Sequence, residues 1–165
     1  MQRILITGMS GTGKSTLIGE LAQRGYDAVD TDSTDWCVWV YSRADDLPPG
    51  VRPGQEWIWR EEKIQALLED SDRDVLFVSG CVSNQGRFYP LFDHIVLLSA
   101  PTEVIIERLR TRTNNDYGKD PEELADVLHH IATVEPLLRR GATLEIDTRA
   151  PLDEVVHTLI GLVQL

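Results

Sequence analysis

The chain has 165 residues, of which 42% are hydrophobic, and a formal net charge of −11. This length and composition predict one globular domain that is large enough to bury a core. The strong negative charge disfavours a nucleic-acid partner, because two polyanions repel each other.

Signals for a location outside the cytoplasm are weak. The first strand is expected within three residues of Met1, which leaves no room for a signal peptide. No apolar run reaches the roughly 20 residues that a membrane-spanning helix needs. Cys37 and Cys81 are the only cysteines, and their spacing does not suit a metal site. We therefore expect a cytoplasmic protein with reduced thiols and no membrane partner.

A glycine-rich loop follows the first predicted strand, Arg3-Ile-Leu-Ile-Thr7. The loop reads Gly8-Met-Ser-Gly-Thr-Gly-Lys-Ser15, and the next residues place apolar side chains at helical spacing. Strand, GxxxxGK(S/T) loop and helix in this order indicate a phosphate-binding loop. Glycines let the backbone N–H groups wrap a polyphosphate at the positive end of a helix. We predict that ATP is bound by Gly8, Ser10, Gly11, Thr12, Gly13, Lys14, Ser15 and Thr16.

Side chains in and after this loop suit phosphate and Mg²⁺ chemistry. Lys14 offers a positive charge to the outer phosphates, and the Ser15 hydroxyl is a predicted Mg²⁺ ligand. Asp30-Thr-Asp32 ends the second predicted strand. Carboxylates at that point can hold the water shell of Mg²⁺ and accept a proton from an attacking hydroxyl. The alternative is an acidic turn without a catalytic role.

Strands and helices alternate through the rest of the chain. Predicted strands are Asp74–Ser79, His94–Leu98 and Thr143–Asp147, and predicted helices run from about Gln55 to Asp70, from Ala100 into an arginine cluster, from Pro121 to about Arg140 and from Pro151 onward. This alternation is typical of a doubly wound α/β fold with its ligand at the carboxyl ends of parallel strands. Segments 35–70 and 108–120 interrupt the alternation, and the first is expected to be irregular up to Gly54, with a break at Pro48-Pro-Gly50.

The phosphate-binding loop and the motifs that follow it in order resemble the small P-loop kinases, namely shikimate kinase, the gluconate kinases and the adenylate-kinase-like nucleotide kinases. The resemblance implies one three-layer P-loop kinase domain over residues 1–165, with a five-stranded parallel sheet in the order 2-3-1-4-5 and helices on both faces. It also implies that segment 35–70 binds the phosphate acceptor and that segment 108–120 is a lid over ATP. By similarity to an Asp-x-Asp motif in shikimate kinase, Asp30 would lie on the metal side and Asp32 would be the catalytic residue on the acceptor side.

Further cofactor contacts are implied in the lid and after the fifth strand. Arg108 and Arg112 share a helix face and resemble the Arg-x-x-x-Arg of nucleotide kinases. Arg108 would stack on adenine, and Arg112 would be catalytic by reaching the transferring phosphate. The alternative is a solvated basic end of a helix. Arg149 and Pro151 stand where these kinases hold the base, although an ordinary strand-to-helix connection explains them equally.

The acceptor site is predicted from aromatic residues and from likeness. All four tryptophans fall between positions 36 and 59, which suggests an acceptor with an apolar or aromatic face, although core packing explains any one of them. Candidate acceptor contacts are Asp32, Trp36, Arg60, Gly80 and Arg87. Arg60 resembles the helix arginine that grips the anionic acceptor in shikimate kinase, with an ion pair to Glu56 or Glu61 as the alternative. Gly80 has a simple turn as its alternative.

Two departures from the kinase pattern reduce the number of functions that the sequence favours. No acidic residue stands at 79–81, so a conventional Walker B carboxylate is missing, which disfavours a motor-type or switch-type NTPase. Shikimate kinase carries a carboxylate-binding arginine just before a Pro-Leu pair, whereas Val134-Glu135 precede Pro136-Leu137 here. Losing one of two forked contacts weakens carboxylate binding, so shikimate itself is disfavoured.

We therefore predict a kinase that moves the γ-phosphate of Mg-ATP to a small-molecule acceptor, acting as a monomer or homodimer. The aromatic segment favours a nucleoside or a nucleoside monophosphate. A sugar or cyclic acid, as in the gluconate and shikimate kinases, is the first alternative. An ATP-binding regulatory module with slow hydrolysis is the second.

Overall fold

Five parallel strands form the central sheet of the computed structural model, which describes residues 1–43, 45, 53–70 and 72–164. Their order across the sheet is β2-β5-β1-β6-β7. The strands are β1 (Gln2–Thr7), β2 (Asp27–Asp30), β5 (Val75–Ser79), β6 (His94–Ser99) and β7 (Leu144–Asp147). This is the predicted order 2-3-1-4-5 when only the strands of this sheet are counted, so the predicted fold class is confirmed.

The first strand is central because it is apolar on both faces. Ile4 and Ile6 pack on one side and Leu5 packs on the other, and all three are fully buried. Neighbouring strands pair with β1 in parallel on each side, with Ile6 opposite both Ser79 and Val96. A continuous apolar run of this kind is typical of a parallel strand that helices cover on both faces. The glycine-rich loop therefore starts at the middle of the sheet.

Helices cover both faces of the sheet. They are α1 (Lys14–Gln23), α2 (Glu61–Glu69), α3 (Thr102–Thr111), α4 (Pro121–Thr133), α5 (Glu135–Gly141) and α6 (Leu152–Val163), with a 3-10 helix at Gln85–Leu91. On one face, Leu17 and Leu21 of α1 and Val156 of α6 pack against Phe77. On the other, Ile64 and Leu68 of α2 pack against the strands.

The predicted helix from Gln55 to Asp70 is wrong at its amino-terminal end. Residues Gln55–Trp59 form strand β4, which pairs with the antiparallel strand β3 (Cys37–Tyr41), and the helix begins only at Glu61. Alternating large side chains in both segments favour a pleated pair over a helix. The predicted irregular segment therefore contains β3, the first strand of a β-hairpin whose second strand occupies the start of the predicted helix. The predicted break at Pro48-Pro-Gly50 lies outside the described residues.

The predicted helix from Pro121 to Arg140 is two helices. The first ends at Thr133 and the second begins at Glu135, with Val134 between them at φ −97° and ψ −44°. Pro136 lies in the first turn of the second helix, where a backbone N–H would have no partner within the helix. In a continuous helix, the missing N–H of Pro136 would have left a backbone hydrogen bond unmade. The proline therefore sets the break.

Among the helices of the described ranges, none combines the length and the apolar character that crossing a bilayer requires.

Candidate functional site

The glycine-rich loop connects the end of β1 to the start of α1. Gly13 precedes the helix with φ +100° and ψ +18°, a left-handed conformation that only glycine adopts readily. At Gly8, with φ +152°, a Cβ atom would lie 2.5 Å from the Leu98 carbonyl oxygen. The Thr12 hydroxyl donates to the Met9 carbonyl at 2.8 Å and closes the loop. These features hold the loop at the helix N-terminus, where the first N–H groups have no partner within the helix.

Lys14 lies folded against the loop that it follows. Its Nζ donates to the carbonyl oxygens of Gly8, at 2.6 Å, and Met9, at 3.0 Å. Burial lowers the pKa of the Lys14 ammonium, while Cys81, Asp32 and Asp30 act in the opposite direction. The ammonium is therefore held by loop carbonyls in a site that the two carboxylates also reach electrostatically.

The two acids of the Asp30-Thr-Asp32 segment lie beside the loop. The Ser15 hydroxyl donates to Asp30 Oδ2 at 2.7 Å, and the Asp32 backbone N–H donates to Asp30 Oδ1 at 3.1 Å. Asp32 Oδ1 accepts a hydrogen bond from Trp57 Nε1 at 3.1 Å. The second strand ends next to the first helix, so Ser15 and Asp30 form a hydroxyl–carboxylate pair.

The loop and both acids share one cavity of about 450 Å³. Its lining comprises Ser10, Gly11, Thr12, Gly13, Lys14, Ser15, Thr16, Leu17, Asp30, Asp32, Leu98, Arg108, Thr111, Arg112, Asn114, Asn115, Thr148, Ala150, Leu152 and Val155. The structure therefore brings together most of the residues that the sequence proposed for ATP, for Mg²⁺ and for catalysis.

The two lid arginines line this cavity in different ways. Arg108 donates to the hydroxyl of Thr148 at 2.8 Å, to its carbonyl at 2.7 Å, and to the Gly11 carbonyl at 3.3 Å. It thereby joins α3 to the glycine-rich loop and to the β7–α6 connection. Arg112 follows α3 and donates to the carbonyls of Asn115, at 3.0 Å, and Tyr117, at 2.6 Å. Burial partly removes the Arg112 guanidinium from water, and this lowers its pKa.

Arg149 and Pro151 do not line the cavity. Arg149 pairs with Asp147 at 2.6 Å, and 61% of its side chain is exposed. Their neighbours Thr148, Ala150 and Leu152 line it instead. The β7–α6 connection is thus part of the site, through residues that alternate with the two that were predicted.

The remaining candidate acceptor contacts lie outside this cavity. Trp36 packs against the core, and Lys63 Nζ lies 5.8 Å from its ring. Arg60 precedes α2 and donates through Nε to the Thr34 carbonyl at 3.1 Å. It forms no ion pair with Glu56 or Glu61. Arg87 pairs with Glu61 at 2.7 Å on an exposed surface.

Gly80 is buried for a steric reason. A Cβ atom at this position would lie 2.6 Å from Thr31 Oγ1 and 3.1 Å from the Trp59 ring. The Thr31 hydroxyl donates to the Ser79 carbonyl at 2.6 Å and accepts from Trp59 Nε1 at 2.7 Å. The space above Gly80 is therefore filled by the hairpin.

Trp57 and Thr148 each bond to a predicted site residue, but neither was itself predicted as a site residue. Trp57 was placed in a predicted helix, and only the strand pairing with β3 reveals that its indole N–H meets Asp32. Thr148 anchors Arg108, although the adjacent charged Arg149 drew the prediction. A period-2 pattern of aromatics was the available signal for Trp57, and no sequence signal distinguished Thr148.

The residues present fit a Mg-nucleotide. Within the described residues, no group of three or more His, Cys, Asp or Glu side chains could hold a metal by itself. The Ser15–Asp30 pair suits Mg²⁺, because this ion keeps several waters and takes few protein ligands when phosphates supply the rest. The helix N-terminus and Lys14 supply the positive environment that phosphates need.

The fold is shared with solved kinases at low sequence identity. Shikimate kinase from Acinetobacter baumannii, in complex with shikimate, is 17% identical with a TM-score of 0.64, covering 99% of this chain and 93% of that one. Shikimate kinase from Bacteroides thetaiotaomicron is 18% identical with a TM-score of 0.59, covering 99% of both chains. A gluconokinase from Sinorhizobium meliloti is 19% identical with a TM-score of 0.55, covering 99% of this chain and 91% of that one. The predicted resemblance to shikimate and gluconate kinases is confirmed.

Sequence comparison identifies the family. No curated protein sequence matches the chain. A family model described as "AAA domain" matches residues 4–129, from the first strand to α4, and so includes the glycine-rich loop, both acids and the lid arginines. Because this match spans well over half of its length, the chain belongs to the AAA domain family.

Proposed function

We propose that this chain is a kinase that transfers the γ-phosphate of Mg-ATP to a hydroxyl group of a small molecule. The observation that carries the proposal is the shared cavity, in which Lys14 and Ser15 lie together with Asp30 and Asp32. A protein that only binds a nucleotide needs the first two residues but has no use for a second carboxylate in the same cavity. The folds of shikimate kinase and gluconokinase support the same conclusion.

The charged and hydroxyl side chains Lys14, Ser15 and Asp30 would each have a defined task with the nucleotide. Bound Mg-ATP would supply the transferable phosphoryl group and a divalent charge beside it. Ser15 and Asp30 would hold the metal, and the Lys14 ammonium would leave the Gly8 and Met9 carbonyls to neutralise the outer phosphates. Catalysis of this kind depends on positioning and charge, with little covalent work by the protein.

Asp32 would act on the acceptor. Trp57 occupies Oδ1, and within the described ranges no hydrogen bond engages Oδ2. The Oδ2 atom can therefore accept a hydrogen bond from the acceptor hydroxyl and take its proton as the oxygen attacks phosphorus. Arg112 now donates to the Asn115 and Tyr117 carbonyls. Lid movement would free it from these partners so that it could donate to the transferring phosphate instead.

The acceptor is a small molecule that carries a hydroxyl group. The aromatic hairpin favours a nucleoside or another compound with a ring. The fold is equally that of kinases named for shikimate and gluconate, so a sugar or cyclic acid fits as well. Shikimate itself is disfavoured, because Val134-Glu135 stand where an arginine would hold its carboxylate.

Acceptor-dependent ADP release is the direct test. Nucleosides, nucleoside monophosphates, sugars and cyclic acids would be screened with Mg-ATP, and at least one class should raise ADP release above the basal rate. If no acceptor does so while ATP still binds, the regulatory nucleotide-binding module becomes the better explanation.

The Asp32→Asn variant separates catalysis from ATP binding. Removal of a general base should lower transfer by about 100-fold or more, while binding of a fluorescent ATP analogue should change by less than about twofold. Asp35→Asn is the matched control, because this exposed acid is three residues away and does not line the cavity. Unchanged transfer in Asp32→Asn would refute the role assigned to this carboxylate.

A further inference from the structure

One face of the β3–β4 hairpin carries a row of aromatic side chains that runs from the core to solvent. In the register of the two strands, Cys37 lies opposite Trp59, and Trp39 lies opposite Trp57. Opposite residues of antiparallel strands share a face, and every second residue along a strand does so too. The row therefore consists of Trp59, Trp57 and Trp39, with Tyr41 beyond them.

Burial along this row changes sharply. Trp59 is fully buried, Trp57 is half-buried against the core, and Trp39 is 58% exposed. Covering the core explains the first two positions. It does not explain Trp39, because an exposed indole gives up most of the free energy that burial of its apolar surface would provide.

The middle of the row is tied to the proposed catalytic carboxylate. Trp57 Nε1 donates to Asp32 Oδ1 at 3.1 Å, and Trp59 Nε1 donates to Thr31 Oγ1 at 2.7 Å. The hairpin is thus docked on consecutive residues of the segment that follows β2. Because Asp32 also lines the proposed nucleotide cavity, the middle of the aromatic row lies next to a wall of that cavity.

Trp39 and Trp57 form a close, tilted aromatic pair. Their ring centroids lie 4.8 Å apart with an interplanar angle of 44°. Rings this close leave no slot between them, so a ligand can use only an outward face of the pair. A face of this kind suits a flat or ring-shaped molecule, because the negative π surface attracts the positive edges of C–H bonds.

We propose that the Trp39–Trp57 pair is the binding platform for the ring of the phosphate acceptor, and that Trp57 is a positioning residue for Asp32. The proposal rests on the kinase function and deepens it. The indole N–H of Trp57 holds Oδ1, which presents Oδ2 to a hydroxyl of the ring that lies on the platform. The acceptor class is therefore an alcohol built on a ring, either a nucleoside or a cyclic polyol, in preference to an open-chain polyol. Trp36 lies against the core and has no part in the platform.

Two substitutions separate orientation from binding. Trp57→Phe keeps an aromatic ring but removes the donor to Asp32, so kcat should fall about tenfold while KM changes by less than about twofold. Trp39→Ala removes the exposed ring, so KM should rise about three- to tenfold with kcat nearly unchanged. Tyr41→Ala is the control, because this residue is an exposed aromatic of the same strand that does not pair with Trp57.

A structural role for Trp57 makes a different prediction. If Trp57→Phe lowers only the free energy of unfolding and leaves kcat intact, the positioning role is refuted. If Trp39→Ala leaves KM unchanged, as the Tyr41→Ala control should, the platform is refuted. The Trp39→Ala test does not depend on the core, because the side chain is mostly exposed.

A binding experiment tests the platform without any phosphate transfer. Uridine, methyl glucoside and open-chain sorbitol would be titrated while acrylamide quenching of tryptophan fluorescence is measured. At least one of the two ring compounds should protect a quenchable fraction that is lost in Trp39→Phe, and sorbitol should not; which ring protects identifies the acceptor class. Protection without transfer to any acceptor of the ADP-release screen would refute the kinase function and support the platform. Transfer to a ring compound without protection would refute the platform alone.

Discussion

At the scale of single residues, the space available to a side chain limits which residue a position can hold as strongly as charge does. Lys14, Asp30 and Asp32 could be predicted as a charged group from the sequence, since each follows a recognisable turn or strand. Gly80 was proposed as an acceptor contact or a turn, whereas the structure shows it beneath Thr31 and Trp59. A missing side chain here makes room for the hairpin that carries Trp57.

Gly80→Ala should destabilise the protein by about 1–3 kcal/mol, because the new methyl group overlaps Thr31 and Trp59. Gly19→Ala is the matched control, since this α1 glycine has nothing within 4 Å of a Cβ atom and should gain up to about 1 kcal/mol. Urea denaturation measures both changes. Equal effects of the two substitutions would show that the space above Gly80 is not tightly packed.

At the scale of elements, the site depends on contacts between segments that are distant in sequence. Arg108 spans three of them, since its guanidinium bonds to Gly11 and to both the hydroxyl and the carbonyl of Thr148. Arg110, two residues later, pairs within the described part of the chain only with Glu107 of its own helix. Two arginines of the same helix end therefore have different structural roles.

Arg108→Lys should lower the free energy of unfolding by about 1–2 kcal/mol, because an ammonium group cannot make the forked contacts to Thr148. ATP affinity should fall about tenfold as the lid loses its tie to the glycine-rich loop. Arg110→Lys should stay within about 0.5 kcal/mol, since exposed ion pairs contribute little. Thermal denaturation and titration with a fluorescent ATP analogue measure the two effects, and equal behaviour of both variants would contradict the anchoring role.

At the scale of the whole molecule, a net charge of −11 opposes the binding of another polyanion. Nucleotide binding must overcome this field, and the structure offers Lys14, Arg112 and the α1 N-terminus on one cavity for that purpose. In the proposed function Mg²⁺ would be the other source of positive charge, so ATP affinity should depend strongly on it.

Mg-ATP at about 100 times its Kd should therefore raise the free energy of unfolding by about 2.7 kcal/mol. Chelation of Mg²⁺ with EDTA should remove most of this gain, and Lys14→Ala should abolish it. Lys63→Ala is the control, because this exposed lysine donates to the Asp35 carbonyl and does not line the cavity. Differential scanning fluorimetry with and without Mg²⁺ is sufficient, and a full gain in Lys14→Ala would contradict the proposed phosphate site.

Local sequence patterns were sufficient where apolar runs, glycine motifs and helical spacing predict elements that fit together in order. The run Ile4 to Ile6, the glycine-rich loop and the helical spacing of Leu17 and Leu21 predicted the strand, loop and helix around which the sheet is built. The sheet order was predicted from the resemblance to the small P-loop kinases and not from local signals, and the structure confirms it. Local signals failed at Gln55–Trp59, where the partner strand lies 14 or more residues earlier, and at Pro136, where one proline divides a helical pattern.

The sequence alone determined that a glycine-rich loop of the phosphate-binding type follows a central parallel strand, since that motif lies in eight consecutive residues. Only the tertiary structure decided which of the predicted cofactor and acceptor contacts line the cavity. Arg87 and Arg149 turn to partners of their own, while Trp57 reaches Asp32 across a strand pair. A side chain's direction depends on the register and packing of elements that are far apart in the chain, and no local pattern encodes that geometry.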